Sequence, residues 1–283
     1  MTLKGIDVSY HNGSINWKQV SEAGIDFAII RAGYGTIVDK KFVSYIKAAK
    51  AAGMPVGIYW FSYALNPVQA IKEAEFCAKT IKAYKIELPV FYDFEYDTER
   101  YAGQHGVKYT KASRTDIIKT FCERIKELGY TPGVYVNFDY INYKVNWNEL
   151  MDYKYWLAQW STKSGVVASF DDIRPGSVNT NRGNPMVWQF GSTKVNGIKK
   201  AVDANFGYFE LPEVIRIKEG DTVRVLNTTT GSNGKVYGKT YLGGRFTLWY
   251  KQYTVIQLKG KRAVIGVNGV VTAAVNVDNL EKV

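Results

Sequence analysis

Cysteine and histidine are scarce in this 283-residue chain, with two of each. Cys77 and Cys122 both fall inside amphipathic helical patterns, which suits buried free thiols and leaves no material for a disulfide framework or a cysteine-based zinc site. With only His11 and His105 besides, a histidine-rich metal centre is excluded, and no metal or cofactor is expected. No apolar run approaches the roughly 20 residues needed to span a bilayer, so no membrane segment is expected. The amino terminus, MTLKGIDVSYHNG, lacks the apolar stretch at the centre of a secretory signal. The net charge is +11, yet no run of five Lys or Arg and no recognisable binding motif occurs, which argues against a nucleic-acid partner.

Aromatic residues are plentiful at 14% of the chain, and 46% of it is hydrophobic, ample for a full core. From the start to about residue 209, short β-branched or aromatic runs alternate with helical patterns, the signature of βα units around a parallel sheet. Strands are predicted at 4–9, 27–33, 56–63, 90–95, 133–138, 155–160, 186–190 and 201–205, and eight strands suggest a closed barrel. Helices are predicted at 41–52, 111–128, and from the cap-like Asn66-Pro67-Val68-Gln69 to about Tyr84. After Trp160 the helical signal fades. The predicted fold class is therefore α/β: an irregular TIM-like β/α barrel with fewer than eight helices, followed by a small all-β barrel. Residues 1–210 form the first domain, 211–214 a linker and 215–283 the second, which has no helical periodicity and strand runs at 222–227, 254–258, 263–267 and 272–277. The second domain carries 11 Lys plus Arg against 4 Asp plus Glu, so most of the chain's net positive charge lies there.

Catalytic residues of a β/α barrel gather at the carboxyl ends of its strands. Four acids occupy such positions: Asp7 in GIDVSYHNG, Asp93 and Glu95 in VFYDFEY, and Asp203 in AVDANFG. Strand alternation puts Asp93 and Glu95 on one face with attachment points roughly 6–7 Å apart, and barrel closure brings Asp7 beside Asp203. Acids this close raise one another's pKa, as burial does, so one of them holds a proton near neutral pH. Asp97 and Glu99, just beyond, are expected to be solvated acids of a surface turn. Tyr59, Phe61, Tyr92, Tyr135, Asn137, Trp160 and Gln189 sit on or beside the same strand ends and are candidates to line a binding groove.

Several ordered motifs resemble glycoside hydrolase family 25, the Chalaropsis-type lysozymes of phage endolysins and bacterial autolysins. GIDVSYHNGSINW, FAIIRAGYG, PVGIYWFSYA and VFYDFEY are similar to its first four strands. GYTPGVYVN, YWLAQW, MVWQFGS and VDANFG are similar to later ones, so the resemblance covers roughly residues 3–209. Where the family often has Gln-Gly after its first strand, this chain has His11-Asn12-Gly13, a departure that bears on subsites. The resemblance implies N-acetylmuramidase action on peptidoglycan, with Glu95 matching the general acid, Asp93 its partner acid, and Asp7 and Asp203 the flanking aspartates. Retention through the substrate's own N-acetyl group is expected, since the Asp-x-Glu pattern is similar to that of substrate-assisted chitinases. The alternatives are a family-18-like chitinase or endo-N-acetylglucosaminidase, and a lectin on the same barrel; the lectin reading expects Glu95 to be lost. Position after such a domain and β character make residues 215–283 resemble an SH3-like wall-binding module, with Tyr237, Tyr241, Trp249 and Tyr253 as aromatic candidates. Its charge suits anionic polymers of a Gram-positive wall. The expected setting is a phage endolysin held in the host cytoplasm until holin-type release, then acting on the wall; the alternative is a secreted autolysin whose signal has been removed.

Overall fold

In the computed structural model, which describes residues 2–161, 166–211, 217–259 and 261–283, the chain divides into two units, Met1–Leu211 and Pro212–Val283. Residues 212–214 of the expected linker lie outside the described residues.

The first unit is built on β1 (Leu3–Val8), β2 (Phe27–Tyr34) with its hairpin partner β3 (Ile37–Val38), β4 (Val56–Phe61), β5 (Val90–Asp93), β6 (Pro132–Asn137), β7 (Lys154–Ala158), β8 (Val187–Thr193) and β9 (Val202–Gly207). All but β3 form a closed eight-stranded barrel, in which β1 pairs with β2 on one side and with β9 on the other. Seven of the strands run parallel, and β9 runs antiparallel to both β8 and β1. The connection from Thr193 to Val202 is too short for the dozen or more residues of a parallel crossover, so β9 returns as a hairpin.

Five α-helices are found among the described residues, all before β6: α1 (Trp17–Glu22), α2 (Phe42–Ala51), α3 (Pro67–Ile81), α4 (Tyr96–Gln104) and α5 (Lys111–Glu127). Asn66 caps α3 by accepting from the Gln69 N–H at 3.0 Å, while the Gln69 side chain accepts from the Leu65 N–H rather than from the cap residue. Beyond β6 the described connections carry only short 3₁₀ and π-helical turns, among them a π-helical turn at Tyr140–Lys144. Period-two alternation separates two cores. Tyr92 and Phe94 face outward to the helices, and the Tyr92 ring stacks on Phe121 at 3.9 Å. Phe27, Ile29, Phe91, Trp156 and Val187 fill the barrel with Tyr59 and Tyr135. Gly5 and Gly133 make this filling possible, because a Cβ there would stand 2.2 Å from the Phe27 ring and 2.4 Å from the Phe91 ring.

The second unit comprises β10 (Thr222–Val225), β11 (Thr229–Thr230), β12 (Val236–Lys239), β13 (Arg245–Thr247), β14 (Tyr253–Lys259), β15 (Arg262–Val267), β16 (Val270–Asn276) and β17 (Leu280–Lys282). They form a five-stranded sheet, β16-β15-β14-β10-β17, and a three-stranded one, β11-β12-β13. Val223, Val255, Ile265 and Val275 centre its core. Tyr253 belongs to that core at 1% exposure, so it is withdrawn from the aromatic binding candidates. The strands missed in the sequence, β11, β12, β13 and β17, are two to four residues long, too short to show alternation.

Candidate active site

Barrel closure makes Asp7 and Asp203 direct register partners across β1 and β9. Because β9 runs backwards, its first residues lie at the carboxyl ends of the other strands, which is why an acid at the start of the last strand joins the same rim. Asp93 closes β5. The chain stays extended to Glu95 (φ −142°, ψ −166°), which is the N-cap of α4 rather than the end of a strand. Phe94 between them turns to the helical side, 1% exposed, against Tyr109 and Tyr140.

A hydrogen-bond network fixes the Asp7 end of the cluster. Asp7 Oδ2 accepts from Asn205 Nδ2 at 2.8 Å and from Gln189 Nε2 at 3.1 Å. An indole N–H can only donate, so Trp156 Nε1, 2.8 Å from Asn205 Oδ1, and Trp160 Nε1, 3.3 Å from Gln189 Oε1, orient both amides with their N–H groups toward Asp7. The Tyr135 hydroxyl adds a second bond to Gln189 Oε1 at 2.9 Å. Asp203 accepts from the Ser192 hydroxyl at 3.1 Å. Asp93 Oδ1, shielded from solvent, has no partner among the described residues.

Burial is the largest cause of a raised pKa at all four acids. Asp7 is pushed up to about 8, with the charge of Asp203 adding to burial and the Asn205 and Gln189 bonds opposing it. Asp93 is held well above the usual carboxylate range by burial, then by Glu95 and Asp7, against the opposing charge of Arg31. Glu95 is pushed up to about 7 by burial, then by Asp97 and Asp203. Asp203 is raised by burial against its Ser192 bond. Glu95 is half-buried, whereas Asp7 and Asp93 are buried, so Glu95 combines a proton retained near neutrality with access to a ligand. That is the requirement for a general acid.

The remaining candidates separate by environment. Tyr59 stands half-buried in the barrel mouth, 5.9 Å from the Trp156 ring, and Phe61 closes the next turn of the same strand face against Tyr63. Trp160 keeps 42% of its surface exposed at the rim while its N–H holds Gln189, which leaves an indole face open. Gln189 is 4% exposed and spends both ends of its amide inside the protein, so it positions Asp7 rather than lining a groove. Asn137 ends β6 and accepts from the Tyr140 N–H at 2.9 Å, where the π-helical turn begins. Tyr92 does not reach the rim: it is fully buried, its hydroxyl 2.7 Å from both Ser62 and Glu73 on the helical side, because its neighbour Asp93 takes the inward position. Asp97 is exposed in the first turn of α4 and pairs with Arg100. Glu99 is not a solvated acid, since both its oxygens accept from Arg114, at 2.9 and 3.0 Å.

Three members of the site were missed in the sequence, although alternation marks each of them. Asn205 shares a face with Asp203, Trp156 with Ala158, and Arg31 follows the inward Phe27 and Ile29. Arg31 donates to Asp39 at 2.8 Å, and its guanidinium lies 5.0 and 5.4 Å from the Tyr10 and Tyr34 ring centres.

A closed β/α barrel carrying buried, mutually raised carboxylates at its carboxyl rim defines a class, the barrel proteins of glycoside hydrolase type. The model of glycosyl hydrolases family 25 matches residues 6–197, and the chain belongs to that family. It is 26% identical over 211 residues to an autolytic lysozyme of Clostridium acetobutylicum, covering 72% of this chain and 61% of that protein. It is 29% identical over 213 residues to lysozyme M1 of Streptomyces globisporus, covering 72% and 67%. Among solved structures, the modular autolysin LytC from Streptococcus pneumoniae superposes with a TM-score of 0.61 at 25% identity, over 73% of this chain and 47% of that one. The chain thus spans from about half to two thirds of the length of these relatives.

Proposed function

We propose that the first unit is an N-acetylmuramidase that hydrolyses the β-1,4 bond between MurNAc and GlcNAc in bacterial peptidoglycan. The observation that carries this reading is Glu95, a half-buried acid with its pKa pushed up to about 7 at the centre of a cluster whose other carboxylates are also raised. Family membership and the two lysozyme relatives support the substrate, as does LytC, which has been solved with a synthetic peptidoglycan ligand.

In this reading Glu95 protonates the glycosidic oxygen and later takes a proton from water. Asp93 accepts the N–H of the substrate's acetamido group, which turns the acetamido oxygen toward the anomeric carbon and gives retention. Asp7, held by Asn205 and Gln189, fixes the charge beside it together with Asp203, while Tyr59, Phe61, Tyr135 and Trp160 line the groove. The second unit is proposed as an SH3-like wall-binding module for anionic polymers of a Gram-positive wall, which raises the local concentration of an insoluble substrate. The endolysin role belongs to the same proposal. Its test is expression in a Gram-positive host with and without a holin: lysis only with the holin supports it, and lysis without one contradicts it.

The muramidase reading is tested on the products. Borohydride reduction of digested walls is expected to yield muramitol, and glucosaminitol in its place would indicate an endo-N-acetylglucosaminidase. NMR of the earliest products is expected to show the β anomer, and an α anomer would refute the acetamido route.

A further inference from the structure

The β12–β13 hairpin of the second unit has two dissimilar faces. Tyr237 pairs with Thr247 and Lys239 with Arg245, and the Leu248 N–H bonds to the Val236 carbonyl at 2.8 Å, extending the ladder by one residue. Alternation then places Lys235, Tyr237 and Lys239 on the same side as Arg245, Thr247 and Trp249. The opposite side carries Phe246 and Leu248, packed on the core of this unit. The outer face is thus three cations and two aromatic rings with no acid among them. Its members interact across the strands, Lys235 Nζ 5.3 Å from the Trp249 ring centre and the Arg245 guanidinium 4.8 Å from that of Tyr237. Asn233 Nδ2 holds the Tyr237 hydroxyl at 2.9 Å, while Trp249 remains 67% exposed.

We propose that this outer face is the surface by which the second unit takes hold of a phosphodiester-linked polyol or sugar polymer of the bacterial wall. Lys239 and Arg245 face each other across the strands, and Lys235 lies four residues from Lys239, roughly 13 Å along the strand, so positive charge stands at both ends of the face, an arrangement suited to a chain of phosphates rather than to a single anion. The rings between them offer apolar faces to the polyol or sugar units that separate the phosphates. A single-stranded nucleic acid would find similar chemistry, cations and stacking rings. The wall polymer is favoured because the other unit belongs to a family whose relatives are lysozymes and autolysins, so the assignment rests on the wall-lytic reading above.

The test compares the full chain with Lys235→Gln/Lys239→Gln/Arg245→Gln and with Trp249→Ala, none of which lies in the barrel unit. Binding is measured by co-sedimentation with Gram-positive walls, before and after hydrofluoric acid has removed their phosphodiester polymers. The parent is expected to bind untreated walls in a salt-sensitive manner. The triple variant is expected to lose roughly tenfold or more in affinity, Trp249→Ala to lose affinity less steeply, and the parent to lose as much on stripped walls. Unchanged thermal midpoints and parental rates on soluble glycan fragments show that the variants fold. Equal binding by parent and triple variant, or equal binding of the parent to stripped and intact walls, overturns the proposal. Tighter retention on single-stranded DNA than on walls overturns the assigned polymer. If the parent binds walls through these residues yet cleaves no soluble glycan, the surface stands and the muramidase reading fails.

Discussion

Replacing Asp7 with Asn separates the electrostatics of the cluster from its chemistry, because the effect is read in stability. Asp7 is 7% exposed, and burial with Asp203 opposite lifts its pKa from 3.8 to about 8. A carboxyl whose folded pKa lies above its unfolded value binds its proton more tightly in the folded state. Its stabilising contribution is therefore complete below about pH 4 and lost as pH rises through about 8. The rise from 3.8 to about 8, at about 1.36 kcal/mol for each tenfold change in proton affinity, sets a ceiling of about 5 kcal/mol on that loss, and local relaxation reduces it to about 1–3 kcal/mol. Asparagine has nearly the same shape, retains an oxygen to accept from Asn205 and Gln189, and does not ionise. Urea unfolding at pH 5 and pH 9, followed by tryptophan fluorescence, reports chiefly on the barrel, since every Trp except Trp249 lies there. The parent is expected to be less stable at pH 9 than at pH 5, and Asp7→Asn to lose about 1–3 kcal/mol less over the same interval while its turnover falls. A parental stability that is flat or rising over this range would refute the reasoning. So would a variant that weakens the fold equally at both pH values.

Further expectations concern neighbouring groups. Turnover should fall as Glu95 ionises, with an alkaline midpoint near pH 7, and Asp97→Asn should move that midpoint downward because Asp97 is the leading electrostatic influence on Glu95 after burial; a pH–rate profile with the midpoint unmoved would contradict this. Tyr92→Phe should destabilise the barrel by about 1–2 kcal/mol, since it removes the buried hydroxyl bonded to Glu73 and Ser62, and leave turnover within about twofold. A large loss of turnover at unchanged stability would return Tyr92 to the substrate groove.

The barrel was legible because its strands are long enough to show alternation and its α2, α3 and α5 helices carry apolar periodicity. The six residues of α1 and the acidic, polar α4 offered too little of either, and α4 concealed the fact that Glu95 caps a helix rather than ending a strand. The four carboxylates can be placed together from the sequence, because closure of a barrel joins first and last strands whatever the details. What alternation alone did not supply was which polar neighbours serve them. Gln189 and Asn205 differ from a substrate contact only in being buried with both amide ends used, a property of three-dimensional packing. Tyr92 failed as a candidate for the converse reason: it adjoins Asp93 in sequence, and in a strand that places it on the opposite face. In the second unit, the β12–β13 register puts Trp249 and Tyr237 on one face, which the sequence alone did not show, whereas Tyr253, equally aromatic, went to the core.

The central claim is that Glu95 supplies the proton in glycan hydrolysis, and its most direct measurement is the initial rate of reducing-end release from purified Gram-positive walls by the parent and by Glu95→Gln near pH 6. Glutamine preserves the size of the side chain and removes the proton that Glu95 retains below about pH 7. The rate is expected to fall by a factor of roughly 10²–10⁴, with wall binding and thermal midpoint unchanged. A folded Glu95→Gln protein that releases muropeptides at close to the parental rate would contradict it.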